Sequence, residues 1–328
     1  MTTFKEIRGT TIEVVSSDPS NPEIGQIWYN SSSGTLKGYL NTGTGIWSSG
    51  GNVPLSRYGT GSAGTQTAAL NWGGYAQVPD SVNAATISYN GSTWTTLPAS
   101  INTARNKMGS AGTQTAALGF GGDPFAGPRA STATESWNGT SWTTVNSLNT
   151  GRLGFGGAGI QTAALFAGGT GAAPTFTDQS AVESWNGTSW TTTTSLPSAK
   201  GQGFGAFGTR DAFTGFGNGP ESTSVLNWNG SAWTAGTSLN TARDSASSSG
   251  TQTLGLVYGG TPNKTATEIW NGSSWTSNPV GLTTGRGNMN VGPTGPSSEC
   301  LAISGGPTTV STEEWTYPNI TTKTITVS

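Results

Sequence analysis

A basic side chain recurs at Arg57, Arg105, Arg152, Lys200, Arg243 and Arg286, at intervals of 43 to 48 residues. Six cations in register could line one mouth of a closed fold and receive an anionic sugar or a carboxylate. They could equally be structural, each pairing with Glu135, Glu183, Glu268 or Glu313 or with strand-end carbonyls. Four of the six repeats supply such a Glu, so structural pairing is the expectation. The other groups with chemical potential lie in the variable segments YAQVPDSVNAAT, DPFAGPRASTAT and TGAAPTFTDQSAV. Loops carry function more often than the scaffold that holds them. Tyr75, Asp80, Asp123, Phe125, Arg129, Phe176 and Asp178 are therefore the candidate binding residues, against the alternative that these loops only pack on the scaffold.

What is missing restricts the chemistry further. The 328 residues include no His and one Cys, Cys300. Ser-His-Asp and Cys-His nucleophilic sites, His-ligated metals, thiolate metal sites and an intramolecular disulfide are thereby removed. No catalytic residue, metal or cofactor is expected. Lys plus Arg number 14 and Asp plus Glu 16, scattered singly, with a net charge of −2. Without a basic stripe, nucleic acid is not an expected partner. No apolar run approaches the ~20 residues of a membrane helix, so membrane insertion is not expected. The opening MTTFKEIRGTTIEVV lacks the basic-then-apolar layout of a secretion signal. Any place outside a cell is expected to be reached by another route.

The elements that must position these residues show in the composition and the period. Charged residues are 9% of the chain, against roughly 25% in average soluble domains. Its surface is thus solvated by Ser, Thr, Asn, Gln and backbone. Thirteen Trp at regular positions argue against disorder. The octet WNGTSWTT stands at 137–144 and again at 185–192, with close variants from Tyr89, Trp228 and Trp270. Its second Trp recurs at 47, 94, 142, 190, 233 and 275, in phase with the basic residue and with a Gly pair. That pair stands at 73–74, 121–122, 168–169, 259–260 and 305–306, and is interrupted at 217–219. Each unit reads as four short strands separated by turns, the signature of a β-propeller blade. The 3.6-residue periodicity of a helical solenoid is absent.

Trp137 and Trp142 sit opposite each other if Gly139-Thr140 is a type II′ turn or if Asn138–Ser141 is a four-residue loop. Opposed aromatics share one sheet face and stabilise it. One pair per blade would fill the wide outer part of each gap between blades. The Gly-, Ala- and Ser-rich first strands suit the narrow hub. Asn90, Asn138, Asn186, Asn229 and Asn271 also form glycosylation sequons. Duplicated turn chemistry is the preferred reading of these.

The order Arg, Gly pair, aromatic and Trp over residues 57–315 resembles the Kelch repeat, a four-stranded propeller blade. Lys200, the interrupted fourth Gly pair and Tyr89 depart from the pattern. The resemblance implies protein or glycan binding. The copper-oxidase branch of that family needs His ligands that this chain lacks. The octet is also similar to the Asp box of sialidase-like propellers, but its acidic position is empty. The stretch PEIGQIWYNSSSGTLKGYLNTGTGIWSSG (22–50) resembles the opening of tail-fibre and decoration-type proteins of marine tailed phages. That likeness implies a non-enzymatic virion protein, a tail fibre, appendage or capsid decoration. Its expected partners are other virion proteins and a host surface glycan, with homo-oligomer formation compatible. A Kelch-type adaptor or surface adhesin not of phage origin is the alternative.

The expected fold is all-β, a Kelch-like propeller of four-stranded blades with repeats beginning near 57, 105, 152, 200, 243 and 286. Residues 1–34 would be an anchoring segment or part of the ring-closing blade, and 35–328 the propeller. In one closure, residues 11–48 form a complete extra blade and ITTKTITVS completes the sixth unit, giving seven blades. In the other, the strand of Trp47 closes the sixth blade and an N-terminal arm remains, giving six. The strand count favours seven.

Overall fold

A computed structural model of the protein describes residues 12–20, 26–41, 44–127, 129–289, 292, 294–306, 309–317 and 320–325. Residues 1–11 and 21–25 of the expected anchoring segment lie outside them. The chain divides into two compact units, one of residues 46–316 and one of residues 1–45 with 317–328. All regular structure among the described residues is β-strand or turn.

The larger unit holds six Trp-bearing sheets that follow the repeat. In the second sheet, Gly109–Gly112, Ala117–Phe120, Thr134–Trp137 and Trp142–Val145 pair antiparallel in sequence order. The first, third, fourth and fifth sheets repeat this meander from Gly61, Gly157, Gly205 and Ser247. Their first strands lie innermost and touch in succession, and the first strand of sheet 1 also touches Glu299–Ile303 of sheet 6. A Cβ added to Gly157 would fall 2.9 Å from the Cα of Gly109. Small residues there let neighbouring backbones converge, so the sheets close into a β-propeller.

The aromatic pairs meet as the repeat predicts. Trp137 pairs with Trp142, Trp185 with Trp190 and Trp270 with Trp275 across their hairpins, with ring centroids 5.1–5.4 Å apart. These rings are buried. In each turn the Asn side chain closes the loop, as Asn138 Oδ1 accepts from the amides of Thr140 (3.0 Å) and Ser141 (2.9 Å). The side chain thus takes over bonds that the backbone would otherwise need, which suits Asn to a tight turn.

The seven-blade closure does not form. Strand Ile46–Ser49 pairs with Thr312–Thr316 in the sixth sheet, with Trp47 opposite Trp315. The reason is packing. Trp315 gives Trp47 an aromatic partner with ring centroids 5.2 Å apart, and Thr267 of sheet 5 accepts its indole N–H at 2.9 Å. Where the other sheets have an inner strand, Gly292 and Gly295 approach the hub. The Ser62 hydroxyl donates to the Gly292 carbonyl at 3.1 Å, and Ser249 donates to that of Gly295.

The smaller unit is a separate four-stranded sheet. Glu13–Val15 runs parallel to Ile27–Asn30, which pairs antiparallel with Thr35–Asn41, and that strand pairs with Ile320–Thr324. Strand 35–41, assigned to the propeller from sequence, therefore belongs to this unit, whose first boundary falls at 45/46 rather than 34/35. Asp18 organises it, accepting from Trp28 (3.0 Å), Asn30 (2.7 Å) and Lys37 (2.7 Å). These bonds, that of Lys37 foremost, pull its carboxyl down to about 2.

Candidate ligand site at the axial mouth

The recurrent cations are structural. Arg105, Arg152, Arg243 and Arg286 are fully buried and pair with Glu135, Glu183, Glu268 and Glu313 at 2.5–2.9 Å. The same carboxylates accept backbone amides of the strand connection, as Glu183 does from Asn149 (2.7 Å) and Thr150 (3.2 Å). Among the described residues Arg57 has no acidic partner, because Ile87 stands where four of the other sheets place Glu. It bonds instead to the carbonyls of Gly73 (2.8 Å) and Ala85 (2.9 Å), and burial pushes it down to about 10.

Two residues beyond each recurrent cation, the connections meet around the axis. The Gly59 amide donates to the Asn288 carbonyl (2.7 Å), that of Lys107 to Gly59 (2.8 Å) and that of Gly154 to Lys107 (2.8 Å). On the other side, Asn288 donates to Ser245 (3.0 Å), Ser245 to Gly203 (3.0 Å) and Phe155 to Gln202 (3.2 Å). Six bonds thus lace six sheets into one rim. Lys107, Ser245 and Asn288 accept φ values of 48–53° to take part. This is left-handed backbone that a side chain adopts only when its surroundings require it.

Above the rim the long loops converge. The ring of Tyr75 packs against Tyr58 (5.3 Å) and Phe125 (4.6 Å). The Arg129 guanidinium lies 4.2 Å from the Phe125 ring centre and 5.7 Å from that of Phe176. Asp123, itself buried, holds Arg129 through Nε (3.1 Å) and a terminal nitrogen (2.6 Å). That bond raises the already high pKa of the guanidinium. The Tyr75 hydroxyl donates to Asp80, which pushes the phenol up to about 12.

Beside this ladder opens a cavity of about 300 Å³. Its walls include Arg129, Phe176, Asp178, Lys107, Gln202 and Asp244. Lys107 crosses from sheet 2 to the Gln202 side chain of sheet 4, with Nζ to Oε1 at 2.8 Å. Gly154, having no side chain, leaves that span open. Burial lowers the Lys107 ammonium, and the nearby Asp123 opposes the shift. Gly201 and Gly203 form one wall because nothing larger fits. A Cβ on Gly201 would lie 2.5 Å from Asp178 Oδ1, and one on Gly203 would collide with Asp244 Oδ1.

All seven residues chosen from sequence fall in this neighbourhood. Asp123, Arg129, Phe176 and Asp178 line the cavity, while Tyr75, Asp80 and Phe125 support its aromatic side. Sequence reasoning missed Lys107, Gln202, Asp244 and Thr170. The available signal was irregularity, since Lys107 and Gln202 occupy the repeat position held by Gly59, Gly154, Ser245 and Asn288. Cys300 lies elsewhere, in strand Glu299–Ile303 of sheet 6, its thiol pushed up by burial. Among the described residues no group of three or more Cys, Asp or Glu is placed to hold a metal.

No family model and no curated protein sequence matches the chain. Among solved structures, the β-propeller reported as "Structure of YjhT" is similar, with a TM-score of 0.60 and 14% sequence identity. The likeness covers 83% of this chain and 99% of that one. At this identity it speaks for the propeller fold alone, a fold that also hosts enzymes.

Proposed function

We propose that this chain is a non-enzymatic recognition protein of a virion, built on a Kelch-like propeller. It serves as a tail fibre, appendage or capsid decoration and contacts a host glycan or another virion protein through its long-loop face. The observation that carries the reading is one cavity lined by two of the three longest loops, with Tyr75 of the other packed on Phe125 in the aromatic–Arg ladder beside it. Preformed pockets with a few convergent polar groups are the usual form of binding sites. Exposed Phe125, Phe176 and Val78 on the same loops add apolar contact surface. Resemblance of residues 22–50 to phage virion proteins supplies the biological setting.

The test is binding of the purified chain to host cells, with Phe125→Ser and Phe176→Ser against Thr143→Ala on an outer strand. The loop changes are expected to weaken binding at least about tenfold, the loss typical of an anchor residue, and the outer-strand change to leave it intact. Equal binding by all three would overturn the assignment of this face. A density map of the intact particle tests the virion setting directly.

A further inference from the structure

Charge at the mouth limits what the cavity accepts. Among its walls, Arg129 is held by both oxygens of Asp123. Lys107 is the remaining lining cation, and its Nζ rests on Gln202. The buried Arg ring contributes nothing to the mouth, since four members face Glu and Arg57 faces carbonyls and Asn71. Lys200, which replaces the fourth Arg, bonds Ser224 at 3.2 Å.

The carboxylates stand differently. Asp178 accepts the Thr170 hydroxyl at 3.3 Å. Asp244 accepts the hydroxyls of Ser245 (2.9 Å) and Thr261 (3.2 Å). Neither forms an ion pair among the described residues. An ionised carboxylate offers about four acceptor positions, so both retain capacity toward the cavity. They flank Gly201-Gln202-Gly203, where the bare α-carbon of Gly201 lets Asp178 come close and that of Gly203 lets Asp244 do so. Three carboxylates against two cations leave the lining with an excess of negative charge. Its remaining donors are the Lys107 ammonium and the Gln202 amide, and Phe176 offers an apolar ring at one side.

We infer that this cavity takes a single uncharged sugar residue, with Asp178 and Asp244 accepting its hydroxyls, Lys107 and Gln202 donating to its oxygens and Phe176 covering a C–H face, and that it rejects anionic sugars. The inference rests on the recognition role proposed above and narrows its ligand class. An acidic sugar would set its charge against Asp178 and Asp244 with Arg129 already engaged. Like charges placed together in this way discriminate strongly.

The test is calorimetric titration of the full chain with methyl hexosides and with the matching hexuronides. Wild type is expected to bind a neutral hexoside and to bind its uronide about a hundredfold more weakly. Asp178→Asn, at an exposed position, and Asp244→Asn keep shape and remove charge, and each is expected to narrow that ratio below about tenfold. Lys107→Gln is expected to weaken the neutral sugar. Intrinsic Trp fluorescence confirms that each variant is folded. Should Asp244→Asn fail to fold, Asp178→Asn carries the test alone. Uronide binding equal to or tighter than hexoside binding overturns the inference, as does a ratio unchanged in both Asn variants. If no hexoside binds while host-cell binding remains sensitive to Phe125→Ser, the inference fails and the recognition role stands. If host-cell binding ignores the loops, the role itself fails.

Discussion

The junction between sheets 2 and 3 and the junction between sheets 3 and 4 are built from the same repeat but are held by different chemistry. At the first, the Trp190 indole donates to Thr134 (2.9 Å), and Gln161 reaches back to the Ser136 hydroxyl (3.0 Å) and the Trp137 carbonyl. The buried Arg152–Glu183 pair ties the connecting segment down. At the second, each of these devices is replaced. Val182 stands in place of Thr134, so Trp233 turns to the Thr194 carbonyl (3.0 Å) and remains half-buried. Arg210 replaces Gln161, Lys200 replaces Arg152 and Leu226 replaces Glu183. Val182, Leu196, Phe204, Phe213 and Trp228 form an apolar cluster there, joined by Leu226 and Trp233. The first junction has such a cluster too, around Phe120, Leu148, Phe166 and Trp190, so the Thr, Gln and Arg–Glu clasps are added to packing at the first junction while the second relies on packing without them. A buried ion pair and a well-packed apolar group of similar volume are often close in net stability. Specificity of approach, more than strength, separates the two junctions.

The largest effect should come from breaking a clasp on one side only. Glu183→Ala leaves Arg152 buried without a counter-charge and the Asn149 and Thr150 amides without an acceptor. About 3–5 kcal/mol of stability should be lost, read from the denaturant midpoint. Leu226→Ala, at the matching position of sheet 4, removes a half-buried side chain and should cost about 1–2 kcal/mol. Arg152→Lys combined with Glu183→Leu copies the sheet 3–4 chemistry and should cost less than Glu183→Ala alone, because the two sites are coupled. If Glu183→Ala costs no more than Leu226→Ala, the contrast between the junctions is not energetic.

A smaller effect isolates the indole bond. Thr134→Val removes the acceptor of Trp190 and should cost about 1–3 kcal/mol, the range for orphaning a buried donor. Val182→Thr makes the reciprocal change beside Trp233, whose N–H already has the Thr194 carbonyl, and should be near neutral. Equal costs for the two would mean that the Thr hydroxyl only fills space.

These pairings bear on what was legible in the sequence. The propeller was legible because Trp, the Gly pair and the cation keep phase through the repeats. The Arg–Glu pairing followed from four Glu in register. Thr86, Thr134, Thr267 and Thr312 were equally visible at the starts of third strands, with Val182 and Val225 as the exceptions. Their role was not, because each bonds an indole of the next sheet, and such a contact has no signature within one repeat. Ring closure was misjudged for a related reason. TLKGYL, with Leu and Tyr, and the β-branched ITTKTITVS are short runs that suit any open edge, and only the fit of Trp47 against Trp315 selects the partner. At the mouth, loop length identified Asp123, Phe125, Arg129, Phe176 and Asp178. Lys107, Gln202 and Asp244 were hidden beside the recurrent cation, where the repeat itself drew attention.

The smallest effect should come from restoring a single clasp. In sheets 1, 2, 3 and 5 the turn between the first two strands carries Gln66, Gln114, Gln161 and Gln252, each donating to the carbonyl of the preceding sheet's aromatic residue. In sheet 4 the turn keeps the same backbone. Thr209 N meets the Ala212 carbonyl at 2.9 Å, as Thr113 N meets Ala116 at 2.8 Å. Arg210 nevertheless points to its own neighbour, forming a two-point pair with Asp211 at 2.9 and 2.8 Å. Exposed pairs of this kind contribute about 0–1 kcal/mol. Arg210→Gln gives up that pair and sets an amide within reach of the Trp185 carbonyl, for a net gain of about 0.5 kcal/mol. The more telling readout is slower hydrogen exchange at the sheet 3–4 junction with no change at the sheet 2–3 junction. Unchanged exchange at both would show that the apolar packing around Phe204 and Phe213 already fixes the junction and leaves the clasp nothing to add.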